Sequence, residues 1–527
     1  MRDFQMPGRS AAYAENGMAA TSHPTATLAA LDILRSGGNA LDAAIAAVAV
    51  QGVTEPEMTG IGGDCFALIG YPDGRVIAFN GSGRAPAAAS LERLAALGVH
   101  DLSGSVHAIT VPGAVDAWAQ LVEMHGTRGL DELLQAAIRH AEDGFLITPR
   151  VGFDWARNGE VLRRSEAGRT SYLPDGRPPL PGQKLRLPLL AKTLRRIARD
   201  GRSAFYEGEL AEQMVGFLKA QRGLHELEDF ASTRGAFVEP IRTSYRGLEI
   251  CECPPNGQGV IALLLFNILE AFDLARLDPD GPERQHLEVE ATRLAYRDRD
   301  ACLADPEQVE VPLRRLLDKT YAARLAALID PERALPALPP PLLPEHRDTV
   351  YLTVADRDGM VVSFINSLFE LFGSGLVCPK TGVLFHNRGK GFSLEPAHPN
   401  VIAPRKRPMH TIIPALALKD GRPAIGFGVM GGHYQPTGQV HVLTNLLDFE
   451  MDPQLAIDAP RTFGYGDQLQ IERGIPQATA LALAARGHRV VPAEGPLGGG
   501  QMIVLDHARG VLIGGSDPRK DGLALGY

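Results

Sequence analysis

The stretch DTVYLTVADRDGMVVSFINSL, residues 348–368, decides the fold. Residues 349–355 are rich in β-branched and aromatic side chains, which favour a β-strand. Residues 356–359 read Asp-Arg-Asp-Gly, a sequence typical of a tight turn, and residues 360–368 form a second apolar run. The sequence therefore predicts a β-hairpin whose first strand begins at residue 348 or 349.

The segment before this hairpin is rich in proline. Residues 331–347 read PERALPALPPPLLPEHR, and proline permits neither a regular helix nor a central strand. The segment is predicted to be an extended, exposed linker. It is either a simple spacer or a segment that must open for chemistry at the start of the hairpin, and the pattern alone does not choose between the two.

The rest of the chain predicts a mixture of helices and strands. Residues 18–53 show helical apolar spacing interrupted at Gly37-Gly38-Asn39, which predicts two helices in succession. Residues 66–69 and 76–79 are apolar runs on either side of a Tyr-Pro-Asp-Gly turn, which predicts a second hairpin. Residues 114–234 are predicted to be mostly helical.

Composition excludes several classes of function. The chain has 527 residues, a net charge of -9 and a pI near 5.9, which disfavours nucleic acid as a partner. No apolar run approaches the length of a membrane span, and no secretory signal is recognised, so a cytoplasmic location without membrane contact is expected. The five cysteines fit no disulfide framework and are expected to be free thiols.

Familiar cofactor motifs are also missing from the sequence. Residues 60–65, Gly-Ile-Gly-Gly-Asp-Cys, begin like a dinucleotide fingerprint but end in cysteine and lead into a predicted strand. There is no phosphate-binding loop, no His-Glu-x-x-His and no serine nucleophile elbow. The 15 histidines show no metal-ligand spacing along the sequence. No cofactor and no metal are therefore expected.

One residue could supply a nucleophile and a base together. A threonine at a new chain terminus carries a hydroxyl and an α-amine, whose pKa is about 8 and allows it to accept a proton near neutral pH. If the Thr349 hydroxyl attacked the carbonyl carbon of Asp348, an N-to-O acyl shift and hydrolysis of the ester would expose that amine. Threonine at the start of a strand is common, however, and the pattern alone does not select Thr349.

Seven ordered blocks resemble the γ-glutamyltransferase family, a family of N-terminal-nucleophile hydrolases. The blocks are HPTATLAALDILRSGGNALDAAIAA at 23–47, TEPEMTGIGGDCFALI at 54–69, HAITVPGAVDAW at 107–118, CPPNGQG at 253–259, TVYLTVADRDGMVVSFINSL at 349–368, RKRPMHTIIPAL at 405–416 and GVMGGHYQ at 428–435. The resemblance implies an α+β fold with four layers, αββα. It also implies a zymogen that cuts itself into a large subunit, 1–348, and a small subunit, 349–527, which form one intertwined domain.

The resemblance assigns roles to five residues. Thr349 takes the position of the catalytic nucleophile, and Asp348 and Thr349 form the cleavage site. Gly431 and Gly432 match the glycine pair whose N–H groups form the oxyanion hole. Ser367 stands where the family has a threonine that hydrogen-bonds the nucleophile, and its hydroxyl can do the same.

The residues that grip the γ-glutamyl group in the family are mostly replaced. The replacements are Ser82 for an arginine, Phe369 for an asparagine, Arg388 and Gly391 for a Gln-x-x-Asp motif, and His410 and Thr411 for a serine pair. Because arginine binds a carboxylate bidentately, Arg84 and Arg388 become candidate anchors for a substrate carboxylate. Together with His410 and Thr411, they form the predicted substrate site.

Three functions remain. The first is an autoprocessed amidohydrolase acting on a small carboxylate-bearing amide such as oxamate, similar in character to oxamate amidohydrolases and cephalosporin acylases. The second is a γ-glutamyl hydrolase or transferase acting on glutathione-like donors, and the third is an uncleaved, non-enzymatic scaffold. The expected partners are the small amide and the two fragments of the chain, and a homodimer of the processed heterodimer is left open.

Overall fold

A computed structural model describes residues 5, 8–336, 338 and 349–527. The predicted cleavage-site residue Asp348 and most of the proline-rich linker lie outside the described residues. No helix in the described part of the chain has both the length and the hydrophobicity of a membrane span. The five cysteines are all free, as predicted.

The strands and helices follow one another along the whole chain. The strands are β1 (Ala12–Ala14), β2 (Gly17–Thr21), β3 (Asp64–Gly70), β4 (Val76–Gly81), β5 (Phe145–Leu146), β6 (Lys184–Leu185), β7 (Ala236–Val238), β8 (Ile241–Tyr245), β9 (Leu248–Glu252), β10 (Val350–Asp356), β11 (Val361–Ser367), β12 (Ala415–Lys419), β13 (Arg422–Met430), β14 (Thr462–Tyr465), β15 (Gln468–Ile471), β16 (Val490–Pro492), β17 (Gly499–Asp506), β18 (Val511–Ser516) and β19 (Leu523–Gly526). The α-helices are α1 (Pro24–Arg35), α2 (Ala40–Thr54), α3 (Leu91–Ala96), α4 (Ala114–His125), α5 (Leu130–Leu133), α6 (Gln135–Asp143), α7 (Pro149–Asn158), α8 (Glu166–Tyr172), α9 (Pro188–Asp200), α10 (Arg202–Tyr206), α11 (Gly208–Ala220), α12 (Leu227–Ala231), α13 (Gly259–Leu269), α14 (Pro282–Cys302), α15 (Leu313–Leu316), α16 (Lys319–Ala326), α17 (Gln435–Leu447), α18 (Pro453–Asp458) and α19 (Gln477–Ala485).

Two large sheets form the centre of the molecule. Within the described residues, the first sheet has the strand order β1-β18-β17-β13-β12-β9-β8, and the second has the order β19-β2-β10-β11-β3-β4-β7. Every neighbouring pair in these two sheets is antiparallel. Each sheet combines strands from before and after residue 349.

Three apolar layers hold the sheets and helices together. Met18, Phe66 and Tyr351 belong to the cluster between the two sheets. A second cluster joins the second sheet to α1, α2 and α4, and a third joins the first sheet to α13, α14 and α17. Burying a sheet on both faces removes most of its apolar area from water, which is a main source of stability. The layers are αββα, and the predicted fold is confirmed.

The hairpin predicted for residues 348–368 lies in the middle of the second sheet. β10 and β11 pair antiparallel, with Val350 opposite Asn366, and both strands are fully buried. This explains the continuous apolar run, since both faces of the hairpin meet protein. β11 also pairs with β3, where Ser367 lies opposite Asp64. The hairpin predicted near residues 66–79 is present as β3 and β4.

Candidate active site

The antiparallel pairing of β10 and β11 brings Thr349 beside Ser367. Thr349 immediately precedes β10, and Ser367 is the last residue of β11. Their side-chain oxygens, Oγ1 and Oγ, are 3.0 Å apart, and both residues are fully buried. The predicted nucleophile and its predicted hydrogen-bond partner therefore lie together.

The Ser367 hydroxyl receives two further hydrogen bonds. The Phe369 backbone N–H donates to Oγ at 2.9 Å, and Arg388 Nη2 donates to it at 3.2 Å. A hydroxyl oxygen has two lone pairs and one hydrogen. Because both lone pairs accept hydrogen bonds, the Ser367 hydrogen is directed at Thr349 Oγ1, and Thr349 accepts this hydrogen bond.

Arg388 is fully buried beside this pair. Its Nη1 donates to Thr411 Oγ1 at 2.9 Å, and its Cζ lies 4.3 Å from the centre of the Phe369 ring. Burial lowers the pKa of Arg388 to about 9, although the carboxylates of Asp64 and Glu370 oppose that shift. Within the described residues, its Nε has no hydrogen-bond partner. The site therefore holds a buried cation that contacts hydroxyls and an aromatic ring, with one donor unused.

Asp64 supplies a buried negative charge on the neighbouring strand. Its Oδ1 accepts hydrogen bonds from the N–H groups of Gly83 and Gly113, at 3.1 and 3.0 Å, and its Oδ2 accepts one from His410 Nε2 at 3.1 Å. Burial raises the pKa of Asp64, but His386, His410 and Arg388 outweigh it, and the resulting pKa is about 2. Asp64 is therefore ionised at physiological pH.

His410 is fully buried and supports Asp64. Burial and the nearby Arg388 lower the pKa of His410 to about 3, so the ring is neutral and donates through Nε2 to Asp64. The ring also packs 4.7 Å from the ring of Phe66. Both features commit His410 to contacts within the protein.

The glycine-rich turn before β3 is explained by a close approach of backbone to backbone. A Cβ atom added to Gly63 would lie 2.3 Å from the carbonyl oxygen of Ser367. Only glycine allows the chain to pass this near to the end of β11. The motif that begins like a nucleotide fingerprint therefore serves to pack β3 against the hairpin.

The glycine pair lies between β13 and α17. Gly431 has φ 128° and Gly432 has φ 58°, conformations that favour glycine. Gln258 Nε2 donates to the carbonyl oxygens of Thr411, at 2.8 Å, and Gly432, at 3.0 Å. This amide connects the carbonyl group of Gly432 to that of Thr411, whose side chain accepts a hydrogen bond from Arg388.

Arg84 lies apart from this group. Its Nη2 donates to both carboxylate oxygens of Glu307, at 2.8 and 2.7 Å, and its Nη1 donates to the Arg405 carbonyl at 3.1 Å. A second carboxylate, that of Asp305, is 3.6 Å from Nη1. Arg84 lines a cavity of about 380 Å³ together with Ser232, Arg405 and others. Its charge is already neutralised by two carboxylates.

Three residues of the site were not singled out from the sequence. Asp64 and Gln258 stand inside two of the quoted blocks, so their positions were visible while their contacts were not. Glu370 gave no signal. It accepts a hydrogen bond from Asn387 Nδ2 and forms an ion pair with Lys390, close enough to influence the charge of Arg388.

Comparisons with known proteins address the family to which the chain belongs. The model of the gamma-glutamyltranspeptidase family matches residues 26–527. The glutathione hydrolase-like YwrD proenzyme of Bacillus subtilis (strain 168) is 38% identical, over 97% of this chain and 98% of its own length. The oxamate amidohydrolase proenzyme of Klebsiella pneumoniae (strain MGH 78578) is 36% identical, over 97% and 98%.

A solved structure extends the comparison to the whole fold. The crystal structure of cephalosporin acylase from Bacillus halodurans superposes with a TM-score of 0.93 and 40% identity, covering 100% of this chain and 99% of that one. Sequence and fold therefore agree over the full described length, and the resemblance drawn from the seven blocks is confirmed. The chain belongs to the gamma-glutamyltranspeptidase family of enzymes.

Proposed function

We propose that this protein is an autoprocessed amidohydrolase that cleaves a small carboxylate-bearing amide, such as oxamate, through an acyl-enzyme on Thr349. The chain first cuts itself between Asp348 and Thr349, and the relatives that are named proenzymes support this step. Residues 1–348 and 349–527 then form the two fragments of one active unit. The α-amine of Thr349 exists only after the cut, so catalysis follows it.

Each group of the site has a role in the proposed reaction. The new α-amine of Thr349 takes the proton of its own hydroxyl, and Oγ1 attacks the amide carbonyl carbon. The hydrogen bond from Ser367 orients Oγ1. The N–H groups of Gly431 and Gly432 stabilise the oxyanion, ammonia leaves with the proton held by the amine, and water hydrolyses the ester.

One observation carries the choice of substrate: the cation of Arg388 is separated from Thr349 Oγ1 only by the Ser367 hydroxyl. In oxamate the carboxylate is bonded directly to the carbonyl carbon that is attacked. A carboxylate so close to the reacting atom needs a cation equally close to the nucleophile. Arg388 meets this requirement, and its unused Nε donor is available for a further hydrogen bond.

The γ-glutamyl group fits this site less well. It carries an α-ammonium and an α-carboxylate several bonds from the scissile carbonyl, and Arg388 repels the ammonium. Glu370 is a carboxylate close enough to act on Arg388. It already forms an ion pair with Lys390 and accepts a hydrogen bond from Asn387. The γ-glutamyl activity stays as the second candidate because a relative at 38% identity is named glutathione hydrolase-like.

Three substrates separate these functions on the processed enzyme. Oxamate and oxamide differ only in whether the second group is a carboxylate or a neutral amide, and a γ-glutamyl anilide represents the alternative. We expect kcat/KM for oxamate to exceed that for each of the others by about 5- to 150-fold, since one unpaired charge costs on the order of 1–3 kcal/mol. A clear preference for the γ-glutamyl anilide would overturn the proposal in favour of the second candidate.

A further inference from the structure

A buried group of metal-ligating side chains lies outside the active site. His286 and Glu290 are one helical turn apart on α14, and His488 comes from the turn between α19 and β16. One nitrogen or oxygen from each of the three side chains lies within 4.8 Å of the others, and all three residues are buried. Buried ionisable groups are normally paired with one another or coordinate a metal ion.

A backbone carbonyl fixes the orientation of His286. Its Nε2 donates to the carbonyl oxygen of Asp330 at 2.8 Å, which assigns the ring hydrogen to Nε2 and leaves a lone pair on Nδ1. That lone pair faces His488 Nε2, 2.8 Å away. A histidine that binds a metal ion through one nitrogen commonly donates to a carbonyl through the other. His286 already has this arrangement.

Glu290 could bind an ion without leaving Arg293, which donates to it, unpaired. One of its carboxylate oxygens lies within 4.8 Å of a nitrogen of each histidine. Its Oε1 accepts a hydrogen bond from Arg293 Nη1 at 2.7 Å. Arg293 also donates to the carbonyl oxygens of Leu335 and Pro336, both at 3.1 Å. An ion that took Oε1 would therefore leave Arg293 with two acceptors.

We propose that His286, Glu290 and His488 bind a divalent transition-metal ion of the Zn²⁺ type. Two imidazole nitrogens and one carboxylate oxygen suit Zn²⁺, with a fourth position left for water. Zinc–nitrogen bonds of about 2.0–2.1 Å in a tetrahedral site set the two nitrogens about 3.3 Å apart, so the rings separate by about 0.5 Å on binding.

The ligands come from both sides of residue 349. His286 and Glu290 precede the proposed cut, and His488 follows it. A bound ion would therefore connect the two fragments, a consequence that rests on the proposed processing. It would also hold the segment near Asp330 and Leu335, which contacts His286 and Glu290 directly.

Zinc binding can be measured without catalysis. The purified protein is stripped with EDTA, dialysed, and titrated with Zn²⁺ against a chromophoric chelator. We expect one equivalent to bind with a dissociation constant below about 1 μM, and the melting temperature to rise with Zn²⁺. Glu290→Gln, which keeps the side-chain shape, should weaken binding at least tenfold, and His488→Ala should weaken it about 100-fold.

Two further variants sharpen the test. His100→Ala removes an exposed histidine and should leave binding unchanged. Arg293→Met removes the cation that competes for Glu290 and should tighten binding several-fold, whereas a purely hydrogen-bonded cluster would bind no zinc in either form. X-ray absorption should report two imidazole ligands.

The proposal is overturned if the wild-type protein binds no zinc at 10-fold the expected dissociation constant, or if His488→Ala and Glu290→Gln bind as the wild type does. Repeating the titration on uncut Thr349→Ala protein separates this outcome from a failure of the proposed function, because that variant keeps all three ligands.

Discussion

Arg388 and Arg84 were equal candidates for holding a substrate carboxylate, yet the structure gives them opposite surroundings. Arg388 is fully buried and contacts the hydroxyls of Ser367 and Thr411, and no carboxylate of the described residues is in hydrogen-bond contact with it. Arg84 is a quarter exposed and donates to both oxygens of Glu307. Arg388 is attracted by Asp64 and Glu370 without a direct ion pair, whereas Arg84 is neutralised by carboxylates in direct contact.

We infer from this difference that an arginine suited to bind a substrate carboxylate lacks a direct ion pair and lies close to the nucleophile. A buried cation without a carboxylate in direct contact is unfavourable, and a bound carboxylate relieves that cost. A cation already held by a carboxylate gains little from a second one. We therefore propose that Arg388 binds the substrate carboxylate.

The proposed role of Arg388 requires that the reaction occurs at Thr349. Substitution of Thr349 is expected to have the largest effect on activity. Thr349→Ala should remain a single chain on a denaturing gel and show no amidase activity, because the hydroxyl is required for the cut and for the reaction. Thr349→Ser keeps a hydroxyl and should still be cut. N-terminal sequencing of the small wild-type fragment should begin Thr-Val-Tyr-Leu. An intact wild-type chain with full activity would contradict the role of Thr349 as an N-terminal nucleophile.

The oxyanion hole gives the next largest effect. Gly431→Val should lower turnover by about 10²–10³, since the loss of one oxyanion donor has that size. A Cβ at this position would lie 2.9 Å from Gly498 Cα, so the N–H must move. Gly421→Val is the matched control, because Gly421 also has positive φ but nothing lies within 4 Å of an added Cβ. Near-normal turnover in Gly431→Val and in Gly432→Val, measured on processed protein, would locate the hole elsewhere.

Arg388→Met tests the buried member of the pair directly. We expect kcat/KM for oxamate to fall about 30- to 150-fold, corresponding to roughly 2–3 kcal/mol for a lost charge-assisted contact. The value for oxamide should change much less, because oxamide carries no carboxylate. An equal fall for both substrates would indicate that Arg388 only supports Ser367 and Thr411, and would contradict its assignment as the anchor.

Arg84→Met is the matched substitution at the partly exposed arginine and should have the smallest effect on activity. Because Glu307 and Asp305 neutralise Arg84, we expect kcat/KM for oxamate to change less than about threefold. Steady-state kinetics under the same conditions as for Arg388→Met give the comparison. A loss at Arg84 larger than the loss at Arg388 would reverse the assignment of the two arginines.

The central hairpin and the αββα layers could be predicted from the sequence, for physical reasons. β-Branched residues on both sides of an Asp-Gly turn determine β10 and β11 locally, and seven quoted blocks supplied the family fold. The pairing of Thr349 with Ser367 follows from the hairpin, since its two ends must meet. These features depend on residues that are close in sequence.

The arginine environments could not be predicted, because their partners are distant in sequence. Arg84 forms its ion pair with Glu307, which lies 223 residues later in the sequence. Arg388 donates to Thr411, which lies 23 residues later. The same limit applies to the histidines, for which no metal spacing was found along the chain. His286 and Glu290 have helical spacing, but His488 is 202 residues from His286 and joins them only through the fold.

The interleaving of the two sheets determines how the processed protein can unfold. β10 pairs with β2, β11 with β3, β12 with β9, and β18 with β1, so every one of these ladders crosses the proposed cut. The uncut chain can refold alone, whereas two separated fragments must first find each other. We expect the refolding yield of processed protein to fall on dilution while that of Thr349→Ala does not. Maturation would then replace a reversible equilibrium by kinetic stability, in which the lifetime of the assembled fragments sets how long the enzyme lasts.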